Sequence, residues 1–214
     1  MQFLTFRRHY LDAFFSSISY SGKVLDIGGE RSGRRGQFVA PSGPDVDWTY
    51  LNLDVGTQPD LVSDAHHLAF GDNTFDMILL AEVLEHLEHP EIVLREISRV
   101  LKPGGTFLAT MPLLYPIHPD PRDFQRWTPE RIEIEFERSG LVVSEVKTMG
   151  GTFAVLHDVF RYSLVRSPYK ARIRNRLVWK FMVPVIRWIF LKIDEKVLKN
   201  SYTTTGFFVV STKE

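Results

Sequence analysis

The residues able to do chemistry in this chain cluster at the ends of apolar runs. A glycine-bearing turn, Val24-Leu-Asp-Ile-Gly-Gly-Glu-Arg-Ser-Gly33, follows the first run. A glycine turn at the C-terminal edge of a strand lets a ligand approach backbone more closely than a side chain would allow. Asp54 closes the next run, where a carboxylate can accept both hydroxyl hydrogens of a ribose. Asp64-Ala65 follows a third, placed to receive an adenine edge. The fourth, FDMILLAEVLEH, leads straight into Glu82, Glu85 and His86. Beyond the fifth, Pro112 to Trp127 is sixteen residues with four prolines, longer than a connection needs, which favours a functional loop. It carries His118 and Asp123, side chains able to take a proton, and Arg126 and Trp127, able to hold a ligand.

Groups in this order need a scaffold that brings successive strand ends to one edge. From Ser21 to Leu141 short Val-, Ile- and Leu-rich runs alternate with helical patterns, the signature of parallel βα units, so the class is α/β. The expected strands are Lys23–Gly28, Thr49–Asp54, Asp60–Ser63, Phe75–Ala81, Thr106–Met111, Leu141–Lys147 and Gly206–Thr212. Helices are expected over Pro90–Leu101, stopped by Lys102-Pro-Gly-Gly105, and over Pro129–Ser139, with Thr128 as N-cap and Gly140 past the end. An amphipathic N-terminal helix, Thr5 to Ser19 within residues 1–20, is expected to bury Phe3, Phe6, Tyr10 and Phe14. Arg7, Arg8 and His9 interrupt its apolar residues, so a secretory signal is not expected and cytoplasm is.

Two phosphate-binding patterns fit the glycine turn poorly. Counting from Gly28, the third place of the dinucleotide fingerprint is Glu30. Gly28 and Gly33 have phosphate-loop spacing, but Arg34 and Arg35 stand where Lys and Ser or Thr are needed. Alone, the turn has a lesser, plainer reading as a tight turn that packs.

Taken together, VLDIGG, LNLD, SDAHHLAF, DNTFDMILLAEVLEHLEHPEIVLREISRVLKPGG and TFLATMP resemble the class I S-adenosylmethionine-dependent methyltransferases, in their small-molecule branch. The likeness covers roughly Lys23 to Gly140 and is most specific from Phe75 to Gly105. It implies a Rossmann-like seven-stranded, mostly parallel sheet with helices on both faces and the last strand antiparallel, the cofactor lying across strands one to four. It also implies that Asp26, Gly28 and Gly29 lie against the methionine portion of S-adenosylmethionine. Asp54 would hold the ribose, Asp64 the adenine amino group and Ala65 a ring nitrogen through its backbone, with Glu82 beside them. His86, Arg126 and Trp127 would face the acceptor. The family's turn is Asp-x-Gly-x-Gly-x-Gly; here Glu30 and Ser32 replace its second and third glycines.

Methyl transfer from a sulfonium is an in-line displacement that spreads positive charge, so alignment and water exclusion supply most of the acceleration. A base is needed only for an acceptor that keeps its proton, and His118 or Asp123 would serve. Each candidate has a plainer reading: His118 caps a turn among Pro116, Pro119 and Pro121, Asp123 and Arg126 pair with each other, Trp127 belongs to the core, and His86 shapes the crevice. Glu82, Glu85, His86 and His89 form a polar rim rather than the His-Glu-x-x-His of zinc hydrolases, and no metal is expected.

Composition bounds the partners. The chain has 26 basic and 26 acidic residues and no cysteine, which excludes a global attraction to polyanions and all thiolate chemistry. With no Asn/Asp-Pro-Pro-Tyr/Phe after the fourth strand, a nucleic-acid substrate is not expected. The charge is nevertheless uneven: Val159 to Ile193 holds nine bases and no acid. This stretch belongs to an insertion, residues 152–200, in what is expected to be a single domain over 1–214. Its LVWKFMVPVIRWIFLKI run (Leu177–Ile193) is too interrupted by charge and Pro184 to span a bilayer, and suits a lid, a membrane interface or a homodimer contact through 160–199. An equal reading packs it on the sheet with its bases solvated. The expected function is methyl transfer to a hydroxyl of a small-molecule carbohydrate, lipid or lipid-linked acceptor, anionic acceptors included, in the cytoplasm or peripherally at the membrane. The alternatives are a cofactor-binding but catalytically silent interaction protein and, less well supported, a nicotinamide oxidoreductase.

Overall fold

A computed structural model describes residues 5–32, 34–35, 37–166, 185, 188–194 and 203–214. The helices are α1 (Phe6–Ser16), α2 (Pro90–Val100), α3 (Pro129–Glu137) and α4 (Thr152–Arg166). The strands are β1 (Gly22–Ile27), β2 (Arg34–Arg35), β3 (Phe38–Val39), β4 (Val46–Asn52), β5 (Leu61–Val62), β6 (Phe75–Ala81), β7 (Leu101–Pro112), β8 (Leu141–Thr148) and β9 (Gly206–Lys213). Seven strands form one sheet in the order β5-β4-β1-β6-β7-β9-β8, and β2-β3 is a small separate hairpin that no periodicity announced. Strands β1, β4, β5, β6 and β7 pair in parallel, while β9 runs antiparallel to both β7 and β8. This is the α/β sheet expected, with the last strand reversed.

Strand alternation decides the two cores. On β6, Ile78 and Leu80 face the side covered by α2 and α3, with Val93, Ile97, Ile132 and Phe136, and Phe75 joins the same cluster from before the register shift. Met77, Leu79 and Ala81 face the side covered by α1, with Leu11, Phe15 and Phe38. Both faces are therefore buried, which explains the near-continuous apolar runs.

Two boundaries differ from expectation in an informative way. Helix α2 stops before Lys102-Pro-Gly-Gly105, but β7 starts at once, because Leu101 pairs with Phe75 before the register shifts to Met77–Thr106. Helix α1 buries Phe6, Leu11 and Phe15 together with Arg7 and Asp12, and leaves Tyr10 and Phe14 only half-buried. Its inner face is turned because two of its polar residues reach partners elsewhere in the fold, Arg7 donating to Thr205 O and Asp12 accepting from Gln37 N. Phe3 lies outside the described residues, as do most of the Leu177–Ile193 run and its Lys180 and Arg187; of that run, Val185 and 188–193 are helical, Lys192 is exposed and Trp188 is 62% exposed. Among the described residues no helix is long and apolar enough to cross a membrane.

Candidate active site

Strand β1 ends in Asp26 and Ile27, and the chain then turns at Gly28 with φ +79°. A Cβ at Gly28 would lie 2.7 Å from Val83 Cγ2, and one at Gly29 would lie 2.5 Å from the Asp26 carboxylate. Both glycines are thus required, the first by its left-handed backbone and the second by the buried carboxylate against it. The turn is pinned to β4: Gly28 N donates to Leu51 O at 2.7 Å, and Asn52 Nδ2 donates to Gly29 O at 2.9 Å. Where the family pattern would have two further glycines, the Ser32 hydroxyl donates to the Glu30 carboxylate.

Beyond this turn a crevice of about 480 Å³ opens over the C-terminal ends of β1, β4, β5 and β6. Gly28, Asp54, Asp64, Ala65, Glu82 and His86, spread over sixty residues of chain, all line it, with Asp120 and Pro121 of the loop after β7 as its far wall. Open parallel sheets bind ligands at this edge. Asp26 is buried beneath Gly29 rather than on the wall.

The carboxylates differ in freedom. Asp54 lies two residues past β4, exposed, its Oδ1 accepting from Gly56 N at 2.7 Å. Asp64 accepts from His66 N at 2.9 Å through Oδ1, which also meets His66 Nδ1 at 2.6 Å. Burial is the largest single influence and raises its pKa, but the His66 hydrogen bonds and the His66 and His67 charges together outweigh it and hold the group below the usual carboxylate range.

Glu82, in a left-handed conformation (φ 59°), is held from both sides. Arg7 of α1 donates to both of its oxygens, and Thr110 Oγ1 donates to Oε1 at 2.7 Å. Burial alone would raise its pKa, yet the Arg7 charge outweighs that and lowers it. Arg7 itself is buried; its Nη1 donates to Thr205 O at 2.7 Å, and its guanidinium lies 5.5 Å from the Tyr115 ring centre. Asp158 of α4 secures the start of α1 by accepting from Phe6 N and Arg7 N, both at 2.9 Å. The N-terminal helix therefore builds the site, a role no local pattern disclosed. The only trace was a basic residue set between apolar ones.

The loop after β7 is fastened to the 3-10 turn Leu84–His86. Phe124 N donates to Glu85 O at 2.8 Å, and Gln125 Nε2 donates to Leu84 O and Leu87 O at 3.2 and 2.8 Å. Asp123 accepts from His118 N at 2.9 Å and forms a two-armed ion pair with Arg126, which drives its pKa far down. Trp127 is 6% exposed and sits in the core cluster, its Nε1 donating to Gln125 Oε1. His118 stands behind His86, their ring centres 5.2 Å apart, and its Nε2 is 3.7 Å from Glu85 Oε1. That carboxylate has no exposed surface. Burial pushes Glu85 up, and the Glu85 carboxylate in turn raises His118 above the ordinary imidazole range. Glu82, Glu85, His86 and His89 do not share one helical face: Glu82 joins Arg7, whereas His89 is exposed beside Glu91.

Residues 17–109 match a family model described as a methyltransferase domain. The ubiquinone/menaquinone biosynthesis C-methyltransferase UbiE of Cupriavidus pinatubonensis is 35% identical over 97 residues, taking in 39% of this chain and 40% of that protein. Its counterpart in Burkholderia mallei is 34% identical over 104 residues, 42% of this chain and 43% of that one. The chain thus spans about two-fifths of the length of the curated relatives it matches. An S-adenosylmethionine-dependent methyltransferase from Archaeoglobus fulgidus superposes with a TM-score of 0.55 at 16% identity, covering 96% of this chain and 92% of that one. The [4+2]-cyclase SpnF superposes at 0.60 and 16% identity, covering 97% and 80%. At such identities these two establish the fold alone. The family match over residues 17–109, the strand order shared with S-adenosylmethionine-dependent methyltransferase structures and the glycine turn at the strand ends agree with one another, and the chain is similar to methyltransferase domains over that stretch.

Proposed function

We propose that the chain transfers a methyl group from S-adenosylmethionine to a hydroxyl of a small molecule, with a carbohydrate, lipid or lipid-linked acceptor as the class. The observation that carries this reading is the crevice itself, where Gly28, Asp54, Asp64, Ala65 and Glu82 gather over four strand ends. The residues suit the cofactor's parts. Gly28 and Gly29 leave backbone exposed where a Cβ would have to clash. Asp54 offers a carboxylate oxygen to the ribose hydroxyls, and Asp64 and the Ala65 backbone offer an edge for adenine. Glu82, kept ionised by Arg7 and lining the same crevice, would offer a negative charge to the cofactor's cationic end.

Bound there, the cofactor supplies a sulfonium-borne methyl group open to in-line displacement. The chain's own part is to align the acceptor, exclude water and receive the acceptor's proton. Asp120 and Pro121 wall the crevice opposite the strands, and Asp123 with Arg126 holds the loop that carries them. His118, its ring Nδ1 facing Pro116 O at 3.0 Å and its Nε2 toward buried Glu85, is the group proposed to take the proton. Arg126 and Trp127 act from behind the wall by fixing the loop, not by touching the acceptor.

A second reading comes from the relatives, whose printed names describe C-methylation in quinone biosynthesis. The matched stretch covers two-fifths of each relative, so carbon remains a rival acceptor atom. The exposed Trp188 and Ile189 and the basic composition around them support a membrane-side or self-association role for the insertion. Incubation with methyl-labelled S-adenosylmethionine and a panel of glycans, lipid-linked sugars and hydroquinones, followed by NMR of the product, tests the reading. A new O-methyl ether is expected. A C-methyl product would replace the hydroxyl assignment, and cofactor binding without any transfer would favour a silent interaction protein.

A further inference from the structure

We infer that Glu85, His86 and His118 form a binding site for a divalent first-row transition-metal ion beside the crevice. The donor atoms of the three lie within 4.8 Å of one another. His86 Nε2 is 3.8 Å and His118 Nε2 is 3.7 Å from Glu85 Oε1. Both distances exceed hydrogen-bond length.

The tautomers follow from the neighbours. His86 Nδ1 meets Arg122 O at 2.5 Å, and His118 Nδ1 meets Pro116 O at 3.0 Å. A carbonyl only accepts, so each Nδ1 carries the hydrogen, and whenever the ring is neutral its Nε2 lone pair is turned toward Glu85. Glu85 has no exposed surface, and neither of its oxygens has a hydrogen-bond partner. Three groups able to ligate a cation therefore converge, and only a proton on Glu85 or His118 or a bound cation would satisfy them. A buried carboxylate left so is costly unless a cation completes it.

The rest of the arrangement is that of a metal site. Two imidazoles and a carboxylate are the ligand set of zinc and ferrous sites that keep open positions. Tetrahedral bonds of about 2.1 Å hold donor atoms about 3.4 Å apart, so each nitrogen stands a few tenths of an ångström too far from Glu85 Oε1, and the rings close on a cation by side-chain adjustment within the 4.8 Å that encloses all three donors. The backbone carbonyls behind each Nδ1 orient the rings as metal-site outer shells do. Residues 86 and 118 are brought together by the hydrogen bonds from Phe124 and Gln125 to the Leu84–His86 turn, so the site is preformed. His86 also lines the crevice, so an open position would point toward it. If the methyl-transfer reading holds, on which this clause rests, the ion would acidify the acceptor hydroxyl and His118 would act as ligand rather than base.

The test uses the full chain, stripped with a chelator and dialysed against Zn2+ or Co2+, with metal content measured directly and Co2+ coordination read from its visible bands. One ion per chain is expected. Glu85→Gln, His86→Gln and His118→Gln should each weaken uptake at least 100-fold, while His66→Gln/His67→Gln should not. Because His118 is on a half-exposed loop, its variant carries the test even if Glu85→Gln fails to fold. Absence of stoichiometric uptake at micromolar metal would overturn the site and leave His118 as the base. Uptake unchanged in the triad variants, or lost with His66 and His67, would overturn it as well. Titration with S-adenosylmethionine reads the cofactor site separately, so failure of the metal and failure of the methyl-transfer reading are distinguishable.

Discussion

Replacing Arg7 by methionine tests whether the N-terminal helix is part of the site. The Arg7 side chain is 3% exposed and its partner Glu82 is 24% exposed. Removing one member of a buried ion pair costs about 3–5 kcal/mol, and the partial exposure of Glu82 places this pair near or below the lower end. Loss of the bond to Thr205 O adds about 1 kcal/mol, while methionine keeps most of the packing against Tyr115. The expected loss of unfolding free energy is therefore about 3–4 kcal/mol, read by urea denaturation near neutral pH. The sign with pH is also determined. With Arg7 present, the pKa of Glu82 lies below the ordinary carboxylate value, so its contribution is present above that value and fades as pH falls through the lowered one. Without Arg7, burial raises Glu82 above its unfolded value. Stability is then lost as pH rises through the raised pKa, so the variant's deficit should shrink toward acid. Glu82→Gln combined with Arg7→Met should be less damaging than the two losses added. A deficit below about 1 kcal/mol, strict additivity, or a deficit independent of pH would refute the reasoning.

Gly29→Ala should leave a folded protein with S-adenosylmethionine affinity down at least tenfold, because its Cβ would lie 2.5 Å from the Asp26 carboxylate; unchanged affinity by calorimetry would remove that carboxylate from the site. Asp54→Ala should weaken cofactor binding by about 1.5–3 kcal/mol if two ribose hydroxyls donate to its charge, again by calorimetry. Asp158→Ala should leave Phe6 N and Arg7 N without acceptors and raise amide exchange at the start of α1, visible by mass spectrometry, with little change in α2. Trp188→Asp should release the protein from anionic liposomes if the insertion meets a membrane, and should shift the oligomeric state in light scattering if it meets a second copy.

The scaffold was legible because its signals are local. Near-continuous apolar runs mark strands buried on both faces, and Phe75–Ala81 matches its expected bounds. The glycine turn, Asp54 and Asp64-Ala65 were legible for the same reason, each falling at the end of a run. What was not legible depends on distance along the chain. Arg7 meets Glu82 across 75 residues and Asp158 meets Phe6 across 152, pairings that no periodicity encodes. Glu85 looked like one of several rim acids until the loop after β7 folded back and set His118 against it. Asp123 and Arg126, three apart, paired as their spacing allowed. Trp127 took the plainer of its two readings and packs in the core rather than facing an acceptor.

Calorimetric titration of the full chain with S-adenosylmethionine and S-adenosylhomocysteine, with NADH as control, tests the central claim most directly. Micromolar binding of both sulfur compounds, with none of NADH, is the predicted result. No binding of either would mean that Glu30 and Ser32 have closed the glycine turn to the cofactor, and would contradict the account.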